Sequence, residues 1–418
     1  MGRVVVEEEA RSAPSPRLWH NRDYRLLWTG QVLSSVGTEF GLLAYPLLVL
    51  ALTRSAVLAG AVGTASAAAS FAVRLPAGAL ADRLNRRKTM IVCDGLRASV
   101  LAGLAVGVAL HGVSWPVVLG AAVLDRVGDT LFSPASTAAI PVIVRDDQLE
   151  AAWAGVEGRQ FAAGIAGPPL GGILYGLGRA IPFVGDAFSY AISVLSSVGL
   201  RGDFSPLSGE RKGLWREAVE GLRFIWNDRL LRAVVTHAPL INFALSGILY
   251  SLVIGLRVNG VSATVIGLSE AVISIGGILG AIMASRLQKR AGFYLLLVLL
   301  TLGGSLFMGL ASFILPSPLA VIPLAVPVVL SPAANAGLFA ALFRRTPKEL
   351  QGRVNNSLLQ LATGLAALAP LLAGVVVESL SASWAMGIFA AVLALSGVGI
   401  VVTPALRQVS AEASRTPA

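Results

Sequence analysis

Long, uninterrupted apolar runs restrict the fold of this chain more than any other feature. Hydrophobic residues make up 55% of the sequence and charged residues only 13%, which excludes a water-soluble globule with a charged surface. A helix of roughly twenty apolar residues crosses a hydrocarbon core of about 30 Å with its backbone hydrogen bonds satisfied internally. The sequence therefore predicts an all-α integral membrane protein. We predict twelve spans, at about 25–52, 55–81, 89–111, 115–140, 150–177, 181–200, 231–256, 262–285, 292–314, 318–343, 354–379 and 382–404.

Lysine and arginine are distributed unequally between the two sides of these spans. Of the 33 basic residues, 26 fall on one side, together with both termini, and 3 fall on the other. Basic residues collect on the cytoplasmic side of membrane proteins, so both termini and the central loop are predicted to be cytoplasmic. Because the charge follows membrane topology, the net charge of +10 does not indicate a nucleic-acid partner. Four arginines remain inside spans: Arg74, Arg97, Arg126 and Arg159.

The chain contains a weak internal repeat. Residues 82–87 match residues 285–290 at a shift of 203, and residues 25–27 match residues 229–231 at a shift of 204. Such self-similarity indicates two copies of one module. The predicted parts are a cytoplasmic tail at 1–24, a six-helix bundle at 25–200, a cytoplasmic linker with an amphipathic helix at 201–230, a second six-helix bundle at 231–404, and a cytoplasmic tail at 405–418.

Two motifs occur in order along the chain: a glycine, an aspartate and a basic cluster at 78–88, and Gly-Pro-Pro-Leu-Gly-Gly at 167–172. The first resembles the signature between the second and third spans of the major facilitator superfamily, and the second resembles the GPxxGG marker of its proton-coupled exporters. The stretches that resemble its bacterial drug and siderophore exporters are 21–28, 132–135, 214–226 and 352–354. The resemblance covers essentially the whole chain and implies a twelve-helix secondary transporter of the bacterial inner membrane. The superfamily is built from repeated halves around a midplane site.

Residues 78–97 are predicted to form part of a cytoplasmic gate. Asp82 and the cations after it form a polar cluster at the membrane surface, which can hold one helix end against the other half. The alternative is that the cations only set the topology, although topology does not need Asp82. The repeat has Ser285 in place of that acid, so the matching contact of the second half is predicted to be weaker. The predicted gate residues are Gly78, Asp82, Arg83, Arg86, Arg87, Asp94 and Arg97.

Glu39 lies near the middle of the first span. It is 14 residues after Arg25 and 15 before Arg54, or about 21 Å from either end at 1.5 Å per residue. An ionisable group at this depth is costly and is expected to face a cavity or a partner. Glu39 is therefore a candidate for proton or substrate binding, the alternative being a permanent structural ion pair.

Asp125, Arg126 and Asp129 form a second charged group, in span four. The i,i+4 spacing of the two acids places them on one face, with Arg126 one turn before Asp129. Two acids and one cation leave a net negative site. The cluster is a further candidate for proton or substrate handling, or else a self-neutralising contact between helices.

A glycine and proline segment in span five is predicted to act as a hinge. The candidate residues are Gly167, Pro168, Gly171 and Gly172. Proline removes a hydrogen bond of the helix and bends it, which suits a helix that moves during transport. The alternative is close packing of small residues. Asp186 and Glu270 lie towards the outer side and are a candidate pair for closing it.

These features predict a secondary active transporter that exports a small amphipathic molecule, such as a drug, antibiotic or siderophore, by proton antiport. The sequence has no phosphate-binding loop, one cysteine and three histidines, so we expect no enzyme activity, cofactor or metal. The expected partners are the substrate, protons and the lipid bilayer, with the protein a monomer. The alternatives are an importer or uniporter of the same fold, and a membrane receptor or scaffold without transport.

Overall fold

The computed structural model describes residues 18–205, 214–347 and 350–407, and these ranges contain helices and no strand. Most of the two predicted tails lies outside the described residues. The helices of the first half are α1 (Arg22–Thr53), α2 (Ala56–Arg83), α3 (Arg86–Ala109), α4 (Trp115–Ile143), α5 (Leu149–Leu177) and α6 (Ile181–Val198). After α7 (Leu214–Asn227), the second half contains α8 (Arg229–Val258), α9 (Ala263–Val298), α10 (Gly304–Ile314), α11 (Val321–Val328), α12 (Ser331–Arg345), α13 (Gln351–Gly364), α14 (Ala369–Ser379) and α15 (Ala382–Val402).

Side-chain caps explain where the first three helices begin. Asn21, Ser55 and Asn85 precede α1, α2 and α3, and each side chain accepts a hydrogen bond from a backbone N–H of the first turn. These N–H groups have no partner within the helix, so the caps stabilise the ends. The connections between these helices are short, so consecutive helices run antiparallel.

The chain reverses direction at Gly292, within the stretch labelled α9. This stretch has 36 residues, or about 54 Å, which is too long for one crossing of a bilayer. Gly292 has φ 68° and ψ 165°, a conformation that side chains with a Cβ disfavour. The eighth span therefore continues about six residues past its predicted end, and the reversal follows the basic repeat at 285–290.

Nine helical segments within the described ranges are long and apolar enough to cross a membrane. One of them, Ala263–Ile314, has 52 residues and includes the reversal at Gly292. Helices α4 and α5 have 29 residues each but are not among the nine. The all-α membrane fold is confirmed, whereas the count of twelve spans and the domain boundaries stay predictions.

The amphipathic helix α7 packs on α13 of the second half. Ile225 of α7 is fully buried, while Val219 and Trp226 are exposed on its other face. Glu220 forms an ion pair with Arg353 of α13. An apolar surface of this kind suits a helix that lies at the membrane interface, as the spacing of its apolar residues predicts.

The distribution of the core shows how the two halves meet. We name the side of the molecule that bears the 83–88 loop the basic side, and the other the opposite side. One continuous core, which includes Leu48, Leu252 and Ala373, joins both halves towards the opposite side. On the basic side the apolar cores are separate, with one cluster in the first half and two in the second. The halves thus share an apolar core towards the opposite side and have separate apolar cores on the basic side.

Candidate functional site

Glycines bring α5 and α9 into backbone contact near the opposite side. A Cβ atom on Gly172 would lie 2.5 Å from the Cα of Gly267, and nothing larger than glycine fits without movement. Nearer the basic side, a Cβ on Gly158 or Gly164 of the same helix would meet nothing within 4 Å. The close approach of glycine backbones between α5 and α9 therefore lies in the part of α5 near the opposite side.

Glu378 of α14 forms a second connection between the halves on the opposite side. Its Oε2 accepts hydrogen bonds from Ser55 Oγ at 2.7 Å and from the Val57 backbone N–H at 2.9 Å. An anion at the first turn of α2 is also favoured by the helix dipole. The outer pair expected from Asp186 and Glu270 is not present in the described structure, because Asp186 packs against Gly37 inside the first half.

A cavity of about 310 Å³ lies between the halves. Helices α1, α2 and α4 line it from the first half, and α8, α13 and α14 from the second. Its polar wall includes Ser66, Ser70, Arg74, Asp125, Arg126 and Thr363, and its apolar wall includes Val62, Phe71 and Pro370. A cavity with an apolar wall and a few polar groups is typical of small-molecule sites.

Arg97 of α3 is at the centre of an ion-pair network behind this cavity. It is 1% exposed and reaches three acids. Its Nε donates to Asp125 Oδ1 at 2.9 Å, and its Nη1 donates to Asp94 Oδ1 at 3.3 Å. A longer contact of 3.7 Å joins Nη2 to Asp129 Oδ1. One guanidinium group therefore holds three carboxylates of two helices.

Hydroxyl groups complete the network. Nη2 of Arg97 donates to Thr38 Oγ1 at 3.0 Å and to the hydroxyl of Tyr190, and its Cζ lies 3.9 Å from the centre of the Tyr190 ring. Asp125 accepts from the hydroxyls of Tyr45 and Tyr190, both at 3.1 Å. Because Thr38, Tyr45 and Asp125 also line the cavity, the network connects α3 and α6 with the space between the halves.

This grouping differs from the sequence expectation, which placed Asp94 and Arg97 with the basic loop at 83–88. The structure joins them to Asp125 instead. The reason is geometric: the long side chain of Arg97 crosses to α4, where it packs against Gly128 and reaches Asp125, and spacing along one chain does not reveal such a contact between helices. Tyr190 and Tyr45 were missed, since a tyrosine in an apolar run gives no signal of its own.

Glu39 and Arg126 lie near this network but have different surroundings. Arg126 Nη1 is 3.5 Å from Asp129 Oδ2. Glu39 packs against Gly167 of α5, and no described side chain forms an ion pair or hydrogen bond with it. The structure thus gives Asp125, Arg126 and Asp129 partners and leaves Glu39 without one.

The loop of the predicted gate is fixed to the first half. Arg87 donates to the carbonyl oxygens of Ser197, at 3.0 Å, and Val198, where α6 ends and a cation is favoured. Arg86 is buried, and Arg83 is exposed at the end of α2. A Cβ on Gly78 would meet nothing within 4 Å. The side chain of Asp82 lies outside the described part of the chain, so its role in a gate stays a prediction.

The glycines of the predicted hinge are points of close contact. Gly167 and Gly171 pack against Glu39 and Phe40 of α1, and Gly172 packs against α9. Helix α5 continues from Leu149 to Leu177 through both prolines. The close packing that the sequence left as an alternative is therefore present in the structure, and bending during transport stays a prediction.

Comparison with known proteins places this architecture in a family. The model of the Major Facilitator Superfamily matches residues 27–367. The chain belongs to this superfamily. It is 29% identical over 409 residues, covering 92% of this chain and 96% of the relative, to the multidrug efflux pump Tap of Mycolicibacterium fortuitum.

A second relative belongs to the siderophore exporters. The chain is 26% identical over 335 residues, 80% of each chain, to the enterobactin exporter EntS of Shigella boydii. The resemblance to drug and siderophore exporters is thus confirmed. The fold is similar to a crystal structure of a mutant of the nucleoside transporter NupG, with a TM-score of 0.71 and 13% identity over 90% of this chain and 99% of that one. The protein is a multi-pass membrane transporter and not an enzyme.

Proposed function

We propose that the protein exports a small amphipathic molecule from a bacterial cell in exchange for protons, by alternating access. The observation that carries this proposal is the cavity of about 310 Å³ between two halves that share an apolar core on one side only. Both similar transporters named above, Tap and EntS, are described as exporters. A cavity that opens to one side at a time is what such a cycle requires.

The positive-inside distribution supports the orientation. If the basic side is cytoplasmic, both termini are in the cytoplasm and the protein resides in the inner membrane. We infer that the described structure is then inward-facing, because the apolar cores of the two halves are separate on that side. In this state the opposite, outer side is closed by the contact of Gly172 with Gly267 and by Glu378 with Ser55.

Proton coupling is assigned to Glu39 and to the acids of α4. Glu39 has no partner among the described side chains, and an unpaired carboxylate at the level of the bilayer centre is unfavourable when ionised. Asp129 is shared between Arg97, at 3.7 Å, and Arg126, at 3.5 Å. Protonation of Asp129 would release Arg126 towards the cavity, which provides a physical link between the proton and the substrate.

Transport in inverted membrane vesicles tests the proposal. Candidate substrates should accumulate when a pH gradient is imposed, and accumulation should stop when an ionophore collapses that gradient. Glu39→Gln should lower the gradient-driven component without loss of folded protein. Glu150→Gln provides a matched control, because Glu150 is exposed at the start of α5.

Other outcomes would favour the alternatives. Uptake that stops at equal concentrations on both sides and is unaffected by the ionophore would rule out proton antiport and favour a uniporter. Uptake in right-side-out vesicles would indicate an importer. Binding of substrate without translocation in either type of vesicle would indicate a receptor.

A further inference from the structure

Arg74 is the charge in the cavity wall that has no opposite charge beside it. It lies on α2, lines the cavity, and its Nη1 donates a hydrogen bond of 3.1 Å to Thr363 Oγ1 of α13. No described carboxylate lies within ion-pair distance of it. An arginine within a membrane span is costly and is expected to serve a ligand or a partner. Since its protein partner is a neutral hydroxyl, its charge is available to a ligand.

The other charges of the cavity wall do not balance Arg74. Asp125 lines the same cavity, but Arg97 and two tyrosine hydroxyls already occupy its oxygens. Arg74 of α2 and Arg126 of α4 both line the cavity, so the cavity wall carries two guanidinium groups. An anion bound between them would be attracted by both positive charges.

Arg126 can contribute to such a site. It is held by Asp129 at 3.5 Å, the outer limit of a hydrogen bond, so little is lost if it turns towards a ligand. Glu39 forms no ion pair with Arg126 in the described structure and does not line the cavity. Asp94 and Asp186 are buried elsewhere in the first half and do not line the cavity.

Hydroxyl groups extend this polar wall. Ser66, Ser70 and Thr363 line the cavity beside the two arginines, whereas Val62, Phe71 and Pro370 form its apolar part. Arginine presents several donors in a planar arrangement that matches carboxylate and phosphate oxygens. The cavity therefore has a donor-rich wall and an apolar wall.

We propose that Arg74 and Arg126 form an oxyanion subsite, and that the preferred substrate is an amphipathic organic anion with its charged group between them. This inference rests on the proposed function for the role of the cavity in transport. It adds the sign of the charge on the cargo. Because Arg74 of the first half lies beside Thr363 of the second half, an anion bound there would contact both halves.

Binding of three dansyl compounds to the purified full-length protein in lipid nanodiscs tests the subsite without transport. Dansylglycine carries a carboxylate, dansylglycinamide is its neutral amide, and dansylcadaverine is a cation. We expect dansylglycine to bind about tenfold more tightly than the amide, since a charge-assisted hydrogen bond contributes at least that much. The cation should bind most weakly.

Variants test whether the preference for the anion depends on Arg74 itself or on the overall charge of the protein. Arg74→Gln should remove the preference for dansylglycine over the amide, and Arg74→Lys should retain part of it. Arg145→Gln is the matched control, because Arg145 is exposed in the connection before α5 and pairs with Asp147; the preference should be unchanged. The comparison on the unaltered protein does not depend on the folding of any variant.

Several results would overturn the subsite. These are equal binding of dansylglycine and its amide, tighter binding of dansylcadaverine, no binding of dansylglycine at millimolar concentration, or an unchanged preference in Arg74→Gln. Transport separates this inference from the proposed function. Gradient-driven accumulation of dansylcadaverine alone would support export and contradict the anion subsite. Selective binding of dansylglycine without gradient-driven transport would support the anion subsite and contradict export.

Discussion

Replacing Arg97 with methionine should be among the most destabilising single changes in the first half. The side chain is 1% exposed and is the cation partner of Asp125 and Asp94, which are 5% and 0% exposed. Methionine fills a similar length without charge or donors. The substitution would leave two buried carboxylates facing each other and would also remove the hydrogen bond to Thr38.

The size of the effect follows from these contacts. Removing one partner of a buried ion pair costs about 3–5 kcal/mol, because the remaining charge is left without compensation. For a unit of 150–250 residues, 1 kcal/mol corresponds to about 2–4 °C in melting temperature. Arg97→Met should therefore lower the melting temperature of the first half by about 6–20 °C.

Thermal unfolding of the purified protein in detergent provides the measurement. The double variant Arg97→Met with Asp125→Asn should recover part of the loss, because one uncompensated charge is removed with its partner. Arg145→Met, at an exposed position, should have little effect. A loss below about 1 kcal/mol in the single variant, or no recovery in the double variant, would refute the view that the network compensates buried charge.

Three further predictions concern the contacts between and within the halves. Gly172→Val should separate α5 from α9. In a background without the native cysteine, this change should increase the labelling of a cysteine at Ser55 by an impermeant maleimide. Gly164→Val is the control, because Gly164 faces open space, and it should leave the labelling unchanged. Glu378→Gln should weaken the bond to Ser55 and increase labelling elsewhere on the outer side; because the carboxylate is exposed, only about 0.2–1 kcal/mol is at stake. Arg87→Ala should lower stability by about 0.3–1 kcal/mol, measured by thermal unfolding, because a cation is lost from the end of α6.

The sequence was sufficient for the membrane fold because its signals are local. Apolar length, cap residues and the distribution of arginines each act within about twenty residues of chain. The reversal at Gly292 shows where such signals fail. The basic repeat at 285–290 predicted a loop, whereas these residues continue the helix and a single glycine turns the chain.

The candidate site was predicted in part, since its contacts depend on how helices are aligned with one another. Asp125 and Asp129 were recognised as unusual because charge inside an apolar run is visible in the sequence. Their connection to Arg97 was not, because a hydrogen bond between α3 and α4 depends on tilt and on side-chain length. Glu378 was missed for a related reason: it lies near the end of its span, where an acid is ordinary, and its partner Ser55 is 323 residues away.

The contact between Gly172 and Gly267 affects how easily the halves can move. Side chains that interdigitate must disengage before two helices can rotate against each other, and each disengagement adds to the barrier. At this crossing two backbones meet with no side chain between them. At this point α5 and α9 can therefore change their angle without the release of a side chain. The barrier to switching is then set by the contacts around it, such as those of Thr264 with Gly176 and of Glu378 with Ser55.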